Sequence, residues 1–502
     1  MPWTDAIISA LLAALRGAPG ERPALESGNS QLTYRELQVS LTEEGDWLAA
    51  HGGERFALLA DNGVPWAVTD LALHVLGRLS VPLPGYFTDA QLLHALEDAG
   101  VDSVLADCPD RLRALLGGWR SEGQSPRTGL TLFRRIVDAA ARPAVPAGTT
   151  KVTYTSGSTA APKGVCLSAE HLENVAGSLA AATAPLGIRR HLCLLPLATL
   201  LENVAGVYAP LLAGATCMLP SATVTGMSYA GPDTGKLLAA VSAAQPESLI
   251  LVPELLQLFV LAAEHGWPVP KSLKFIAVGG ASVSVSLLGR AAAVGLPVYE
   301  GYGLSECASV VCLNTPELRR PGSVGRPLPH ARLRLADDGE IVVSGSTMLG
   351  YLGEEPRGPV EAWHTGDLGA IDADGYVYVR GRLRNVFITS YGRNVAPEWV
   401  EREIAQRLPQ RSVMVHGEAR PYAVALVSGV QDDAEAARVE RVIAAANAEL
   451  PDYARVRRWA RIAEPFTFAN GLLTSNGRPR RTAIVERHRA LLDALYRDQI
   501  AS

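Results

Sequence analysis

Short apolar runs alternate with longer apolar or amphipathic segments through roughly the first 300 residues. The runs FALLA, VDSVLAD, SLILV and LKFIAV are typical of buried strands. The segments VPWAVTDLALHVLGRL, PELLQLFVLAAEHG and SVSLLGRAAAVG are typical of helices. Two helix starts carry capping boxes, formed by Thr33 with Glu36 and by Thr88 with Gln91. This alternation predicts α/β layers around an open, mostly parallel sheet.

After about Arg319 the pattern changes to short alternating strands with turn residues between them. The stretch ARLRLADDGEIVVSG is of this kind, and AIDADGYVYVRGR predicts a hairpin that turns at DADG. Beyond Gly381, a tail of about 120 residues has its own strand, PYAVALV, and its own helix, DAEAARVERVIAAANAEL. We therefore predict a second, smaller domain at the C-terminal end.

Composition and charge exclude several classes of protein. The chain has 502 residues, 48% of them hydrophobic and 19% charged, which describes a folded protein with a large core. A net charge of −5 provides no basic field for nucleic acid or for an anionic membrane. The N-terminal run AIISALLAAL is too short to span a bilayer, so we expect a docked helix, with an interfacial anchor as the alternative.

Cysteine and lysine usage add two constraints. The six cysteines form no CxxC pair and have no metal-ligand spacing, which favours reduced, buried thiols in a cytoplasmic protein. Of the 46 basic residues only five are lysine, namely Lys151, Lys163, Lys236, Lys271 and Lys274. From Phe275 to the end of the given sequence there is no lysine, so no lysine is available there for a catalytic role.

The stretch TYTSGSTAAPKGV, residues 153–165, has the composition of an anion-binding loop. Gly157 and Gly164 let backbone N–H groups turn inward, and Lys163 supplies a mobile charge suited to phosphate oxygens. Four hydroxyl side chains add donors: Thr155, Ser156, Ser158 and Thr159. The pattern is not a Walker loop, because Gly164 follows Lys163 where serine or threonine is required. On these residues alone, a polar surface linker is the alternative.

This loop and four later segments resemble the motifs of the adenylate-forming superfamily, which includes acyl-CoA synthetases, adenylation domains of peptide synthetases and beetle luciferases. The segments are VYEGYGLSE, HTGDLGAIDADGYVYVRGRLRNVFI, GRNVAPEWVE and NGLLTSNGRPRRTAI, in the family's order. The resemblance implies an α/β fold whose large N-terminal domain, residues 1–383, has layered α/β subdomains plus a β-barrel-like subdomain. A small mobile α+β C-terminal lid domain, residues 384–502, follows it.

The resemblance also implies a site for MgATP. The catalytic positions are Lys163, Ser305, Glu306 and Arg478. The ATP-binding positions are Thr155, Ser156, Gly157, Ser158, Thr159, Gly280, Ala281, Ser282, Gly301, Tyr302, Gly303, Asp367 and Arg382. Among these, Glu306 is the expected magnesium ligand, Tyr302 is expected to stack beside adenine, and Asp367 to accept both ribose hydroxyls. Arg382 is expected to contact ribose or phosphate.

One catalytic position departs from the family, since Arg478 stands where the last loop usually has lysine. Arginine keeps the charge, but its planar guanidinium sits differently from a compact ammonium. Three hypotheses follow. Arg478 performs the role of the lysine, or adenylation is slow while thioester formation survives, or the chain binds nucleotide or acyl groups without turnover. Ala160 in place of glycine, and Ser305 in place of threonine, are smaller departures.

The acyl pocket is expected beside the segment LATLLENVAGVYAPLL. Its expected positions are Thr199, Leu200, Asn203 and Gly279. Glu202 is the only acid in that segment, which favours an uncharged acyl tail, because burying an unpaired ammonium group is costly. The segments RRPGSVGRPLP and NGLLT resemble the long-chain fatty acyl branch of the family more than its aryl or amino-acid branches. This resemblance predicts a medium- or long-chain fatty acid as the substrate, and aryl and short branched acids are the alternatives.

Free CoA is the expected thiol acceptor. The phosphopantetheine of a separate acyl carrier protein is one alternative, and an amine or hydroxyl acceptor is another. The family rotates its C-terminal domain between the two half-reactions. The resemblance implies that the hinge lies at Arg384 and that Gly392 and Arg393 lie on the thiol side.

Overall fold

The computed structural model describes residues 10–28, 30–137, 142–155, 163–228, 231–354, 360–391, 393–408, 411–467, 469–473 and 479–496. The strands of the first half are β1 Pro23–Ser27, β2 Ser30–Thr33, β3 Arg55–Leu59, β4 Leu79–Pro82, β5 Ser103–Ala106, β6 Arg120–Gln124, β7 Thr131–Arg134, β8 Lys151–Thr155, β9 Lys163–Leu167, β10 Arg190–Leu192, β11 Thr216–Met218 and β12 Ser248–Leu251. Those of the second half are β13 Phe275–Val278, β14 Val298–Leu304, β15 Ser309–Leu313, β16 Arg326–Pro327, β17 Ala331–Leu335, β18 Glu340–Gly345, β19 Gly350–Tyr351, β20 Trp363–Ile371, β21 Val377–Arg382, β22 Phe387–Ile388, β23 Asn394–Val395, β24 Val413–His416, β25 Ala423–Ser428 and β26 Val456–Ile462.

The α-helices are α1 Ala10–Gly17, α2 Tyr34–His51, α3 Val64–Val75, α4 Asp89–Asp98, α5 Pro109–Leu115, α6 Ala169–Thr183, α7 Ala209–Leu212, α8 Ala222–Thr225, α9 Thr234–Ala244, α10 Pro253–Glu264, α11 Val285–Ala293, α12 Pro397–Ala405, α13 Asp433–Glu449, α14 Arg481–Arg487 and α15 Arg489–Ala494. A π-helix, Glu202–Tyr208, leads directly into α7. No helix in these described ranges is both long and apolar enough to cross a membrane.

Two large sheets with helices between their strands form the N-terminal part. One has nine strands in the order β16-β15-β14-β13-β12-β10-β11-β1-β2, and β1 and β10 to β14 run parallel to their neighbours in its centre. The other has eight strands in the order β19-β9-β8-β4-β3-β5-β7-β6. Crossover helices cover parallel strands on both faces, which is why these strands read as continuous apolar runs in the sequence.

Local signals account for many of the element boundaries. Both capping boxes are present: the Thr33 hydroxyl accepts from the Glu36 N–H at the start of α2, and Thr88 and Gln91 cap α4 in the same way. The helix predicted to run through Leu79 is wrong at its end, because α3 stops at Val75. Gly77 adopts a left-handed conformation with φ of 62°, and the chain from Leu79 onward pairs with β3.

A four-stranded antiparallel sheet, in the order β17-β18-β20-β21, stands where the β-barrel-like subdomain was expected. The DADG turn joins β20 to β21 as predicted, with the Gly375 N–H donating to the Asp372 carbonyl oxygen. The C-terminal part has a three-stranded sheet, β24-β25-β26, with α12 and α13 packed in its main hydrophobic cluster. The predicted α/β class, with a large N-terminal and a smaller C-terminal domain, is confirmed.

Candidate active site

Strand β14 and the turn after it form the floor of the candidate site. β14 carries Gly301, Tyr302 and Gly303 and pairs antiparallel with β15, and the 3₁₀ turn Ser305–Cys307 follows. A Cβ atom on Gly303 would lie 1.8 Å from the Ser309 carbonyl oxygen. Only glycine allows the two strands to approach this closely, and the turn then presents Ser305 and Glu306 at a fixed place.

Tyr302, Asp367 and Arg382 meet in one cluster. The Tyr302 hydroxyl donates to Asp367 Oδ2 at 2.7 Å, and Arg382 Nε lies 2.8 Å from Asp367 Oδ1. Asp367 and Arg382 are directly opposite each other on β20 and β21. Asp367 is only 5% exposed, and burial followed by this carboxylate raises the pKa of Tyr302 well above its ordinary value. The cluster therefore holds a carboxylate in one orientation beside an aromatic ring.

Thr365 accepts hydrogen bonds from two members of this cluster. The Asp367 N–H donates to Thr365 Oγ1 at 3.1 Å, and Arg382 Nη1 donates to the Thr365 carbonyl oxygen at 3.0 Å. The backbone of Asp367 and the guanidinium of Arg382 are thereby anchored to one residue of β20. Thr365 is a positioning residue that the sequence motifs do not single out.

Lys163, Tyr351 and Glu306 form a second cluster. Lys163 Nζ lies 4.8 Å from the centre of the Tyr351 ring, and the Tyr351 hydroxyl donates to Glu306 Oε1 at 2.8 Å. Tyr351 reaches this place because β19 pairs with β9, with Tyr351 opposite Val165. The Lys163 side chain is 53% exposed and lies 4.0 Å from Glu354 Oε1. The phosphate-loop lysine and the expected metal ligand are thus joined through a tyrosine that sequence reasoning missed.

The segment Gly279–Ser282 follows the carboxyl end of the parallel strand β13, an edge at which open α/β sheets bind ligands. A Cβ atom on Gly279 would lie 3.5 Å from the Gly301 carbonyl oxygen, so this segment lies directly beside β14. Gly280 has φ of 83°, a conformation that side chains rarely adopt. Gly280, Ala281 and Ser282 are exposed.

The expected acyl positions lie on the segment that leads into the π-helix. Leu200 is buried and the Thr199 hydroxyl donates to the Pro196 carbonyl oxygen at 2.6 Å. Asn203 is 1% exposed, and both polar atoms of its side-chain amide form hydrogen bonds. Nδ2 donates to Asp70 Oδ2 at 2.8 Å, and Oδ1 accepts from Lys151 Nζ at 2.5 Å. Contact between Asn203 and an acyl chain stays a prediction.

Lys151 and Asp70 form a buried ion pair that the sequence did not indicate. Lys151 Nζ lies 2.8 Å and 3.0 Å from the two Asp70 oxygens, and Tyr208 donates to Asp70 Oδ2 at 2.9 Å. Lys151 is 2% exposed and Asp70 is 1% exposed. The network joins β8, which leads to the phosphate loop, with α3 and with both ends of the π-helix.

Several predicted residues lie outside the described part of the chain or at its edge. The loop residues Ser156, Gly157, Ser158 and Thr159 are outside it, as are Gly392 and Arg478. The described neighbours Thr155 and Lys163 end β8 and begin β9. Arg384 lies in the 3₁₀ turn Leu383–Asn385 between β21 and β22, and the Arg393 N–H donates to Thr389 Oγ1 at 3.1 Å.

Two family models match this chain. Residues 12–352 match the AMP-binding enzyme family, and residues 384–500 match the AMP-binding enzyme C-terminal domain. A long-chain-fatty-acid–CoA ligase of Mycobacterium bovis is 25% identical over 89% of this chain and 89% of its own length. A feruloyl-CoA synthase of Amycolatopsis sp is 32% identical over 76% of this chain and 79% of its own. A 2-succinylbenzoate–CoA ligase of Geobacillus sp. is 29% identical over 76% and 78% of the two chains.

Solved structures share the fold. An anthranilate CoA ligase in complex with anthranoyl-AMP superposes with a TM-score of 0.77 at 18% identity, over 97% of this chain and 98% of that one. The o-succinylbenzoate CoA synthetase of Bacillus subtilis, in complex with its acyl-adenylate, has a TM-score of 0.73 at 21% identity, over 95% and 97% of the two chains. The chain therefore belongs to the AMP-binding enzyme family, as an AMP-forming acid–CoA ligase of the adenylate-forming superfamily that its motifs resemble.

Proposed function

We propose that this enzyme activates a medium- or long-chain fatty acid and transfers it to CoA. In the first step a carboxylate oxygen attacks the α-phosphorus of ATP, and the bond from that phosphorus to pyrophosphate breaks. In the second step the CoA sulfur attacks the acyl carbon of the adenylate, and the bond to AMP breaks. Both steps need anions held in line and their charge neutralised, which is positioning and electrostatic work.

In this proposal, the cluster around Asp367 binds the ribose of ATP, and the cluster of Lys163, Tyr351 and Glu306 binds its phosphates and magnesium. Asp367 accepts the ribose hydroxyls while Arg382 and Tyr302 hold its carboxylate in place. Lys163 moves from the face of Tyr351 to the β- and γ-phosphates, since its side chain is half-exposed and lysine has a flexible four-carbon stem. Glu306 suits Mg²⁺, which prefers one or two carboxylates plus phosphate oxygens and would neutralise phosphate charge there.

The apolar surroundings of the acyl segment support an uncharged acid. Leu200, Val204 and Val207 are all buried along it. Glu202 is fully buried beside His191 and Cys193. Its carboxylate is therefore not available to bind an ammonium group of a substrate. The fatty-acid ligase of Mycobacterium bovis, similar along 89% of this chain, favours the same class.

An aryl acid is the second candidate substrate, and one observation favours it. The feruloyl-CoA synthase, at 32% identity, is more similar per residue than the fatty-acid ligase, although over a shorter stretch. The carrier-protein phosphopantetheine remains the alternative acceptor. Arg478 is proposed to bridge the carboxylate and the α-phosphate in place of lysine, and binding without turnover is the competing hypothesis.

The observation that carries the proposal is the fixed Asp367 carboxylate, which Tyr302 and Arg382 hold in place. Tyr302 lies only four residues before Glu306, so β14 and the turn after it bring the expected ribose contact and the expected magnesium ligand together. The test is pyrophosphate release from MgATP with a series of saturated fatty acids and a parallel series of hydroxycinnamic acids, each with and without CoA. Release that depends on a fatty acid and rises with CoA is expected. Release with the aryl series alone would establish the second candidate.

Two further outcomes of the same assay are informative. Acid-dependent release of about one equivalent per chain, unchanged by CoA, would indicate an adenylate that waits for a carrier protein or another acceptor. No release with any acid, despite measurable ATP binding, would favour binding without turnover. An Arg478→Lys variant then separates the explanations, because a large gain in release would identify arginine as the cause of weak adenylation.

A further inference from the structure

His191, Cys193 and Glu202 meet in the core, and none of them belongs to either cluster of the candidate active site. His191 lies on β10, Cys193 follows that strand directly, and Glu202 begins the π-helix. One nitrogen, one sulfur and one carboxylate oxygen from these three side chains all lie within 4.8 Å of one another. All three residues are buried, with Glu202 and Cys193 at 0% and His191 at 4% exposure.

Three polar atoms in this cluster form no hydrogen bond of normal geometry with the described residues, although the Leu195 N–H and the Cys193 thiol lie near enough to Glu202 to favour its charged form. The three atoms are both carboxylate oxygens of Glu202 and Nε2 of His191. The gap from Nε2 to Glu202 Oε1 is 3.7 Å, too long for a direct hydrogen bond. Buried polar groups are nearly always satisfied, so three unsatisfied atoms that face one another indicate a missing partner between them.

The neighbours of the cluster orient these atoms inward. The hydroxyl of Ser248, on the adjacent strand β12, lies 2.8 Å from His191 Nδ1, which fixes the ring and leaves Nε2 as the atom that faces Glu202. Metal-ligating histidines are held in this manner by a group on their other ring nitrogen. A Cβ atom on Gly206 would lie 2.6 Å from Glu202 Oε1 and 3.2 Å from Cys193 Sγ. The absence of a side chain there keeps the space between the two open.

We propose that His191, Cys193 and Glu202 bind a zinc ion. Imidazole nitrogen, thiolate sulfur and carboxylate oxygen are the three ligand types of zinc sites in proteins. In a tetrahedral site, ligand atoms stand roughly 3.3–3.7 Å apart, so the Nε2 to Oε1 distance already fits and the sulfur moves by about 1 Å or less. A neutral histidine, a thiolate and a carboxylate also balance the ion's two positive charges, as a buried site requires.

Binding changes one contact of the cysteine. The Cys193 thiol donates to the Gly206 carbonyl oxygen at 3.2 Å. When zinc binds, the thiol loses its proton to solvent, sulfur becomes a ligand, and the Gly206 oxygen beside it loses its hydrogen bond and becomes the proposed fourth donor. The ion then joins β10 to the first turn of the π-helix, next to the predicted acyl residues Thr199 and Leu200. We assign it a structural role, independent of the acyl-transfer chemistry.

The test is the metal content of the full-length enzyme, purified without chelator and measured by inductively coupled plasma mass spectrometry. About one zinc per chain is expected to survive desalting. Enzyme produced with cobalt in place of zinc is expected to show the near-ultraviolet sulfur-to-cobalt charge-transfer band of a thiolate site. Cys193→Ser should abolish that band and reduce zinc at least tenfold. Cys312→Ser, which removes an equally buried thiol on β15, should leave both unchanged.

The wild-type measurements decide the question even if a variant does not fold. Absence of zinc from the purified enzyme, and again after refolding with excess zinc, would overturn the proposal. Zinc that is retained by both Cys193→Ser and Glu202→Gln would overturn the assignment to this cluster. Gly206→Ala provides an independent check, because its added methyl group occupies the space between two ligands and should release the metal while leaving all three side chains in the chain.

Discussion

Replacing Lys151 by methionine tests whether the buried ion pair with Asp70 stabilises the N-terminal domain. Methionine keeps most of the apolar stem and removes the ammonium group. Asp70 then loses its counter-charge but retains hydrogen bonds from Asn203 Nδ2 and the Tyr208 hydroxyl. Because Asp70 is 1% exposed, water cannot replace the lost ammonium.

The expected cost follows from this geometry. Removing one partner of a buried pair destabilises a protein by roughly 3–5 kcal/mol, because an uncompensated charge stays in the interior. The two remaining donors to Asp70 solvate part of that charge, so we expect a loss near the lower limit, about 3 kcal/mol. The double variant Lys151→Met/Asp70→Asn leaves no buried charge, and it should be more stable than Lys151→Met alone.

Urea unfolding followed by tryptophan fluorescence measures these differences. Trp66 is buried in α3, the helix that carries Asp70, and is one of the eight tryptophans that contribute to this signal. Lys236→Met is the matched control, because Lys236 is exposed and its loss should change stability by no more than about 0.5 kcal/mol. If Lys151→Met and Lys236→Met shift the unfolding midpoint equally, the ion pair contributes nothing and the reasoning fails.

Three further predictions concern other parts of the chain. Burial raises the pKa of Glu300 from the ordinary 4.5 to about 7, so its contribution to stability is complete below pH 4.5 and is lost as the pH rises through 7. The free energy of unfolding of Glu300→Gln, measured in urea relative to wild type, should therefore rise by roughly 2–3 kcal/mol when the pH is raised from about 5 to about 8. A difference that does not change with pH would contradict this. Gly303→Ala should lower the melting temperature strongly, because its methyl group would overlap the backbone of β15. Gly289→Ala is the control, since Gly289 is exposed within α11, and it should stabilise the protein by up to about 1 kcal/mol. Equal melting temperatures of the two variants would refute the close approach of β14 and β15. Arg384→Pro should permit acyl-adenylate formation, read as acid-dependent pyrophosphate release, and block thioester formation, and survival of both half-reactions would show that the hinge lies elsewhere.

Local signals in the sequence predicted the features that depend on neighbouring residues. The capping boxes at Thr33 and Thr88 and the hairpin at DADG were confirmed, since each is complete within a few residues. The end of α3 was placed too late, because the apolar pattern continues through Gly77 into the next strand without a break. A continuous apolar run is compatible with a helix and with a buried strand, so the pattern alone does not show where the helix ends and the strand begins.

The residues that sequence reasoning missed are positioned by contacts between distant segments. Tyr351 reaches Glu306 only because β19 pairs with β9, and nothing in the sequence around Tyr351 indicates that pairing. Lys151 lies in an apolar strand, and its partner Asp70 is 81 residues away in a helix of similar apolar character. The cysteine spacing predicted no metal site, because it considers one residue type only. The three proposed ligands are a histidine, a cysteine and a glutamate.

The π-helix has a consequence for changing the substrate range of this enzyme. Asn203 and Tyr208 at its two ends bind the same Lys151–Asp70 pair, and Lys151 begins the strand that leads to the phosphate loop. Substitutions at 203 or 208, chosen to reshape an acyl pocket, would therefore alter ATP kinetics and yield as well as selectivity. A directed-evolution library for new acids should vary Thr199 and Leu200, which are predicted to line the acyl pocket, and keep Asn203 and Tyr208 constant.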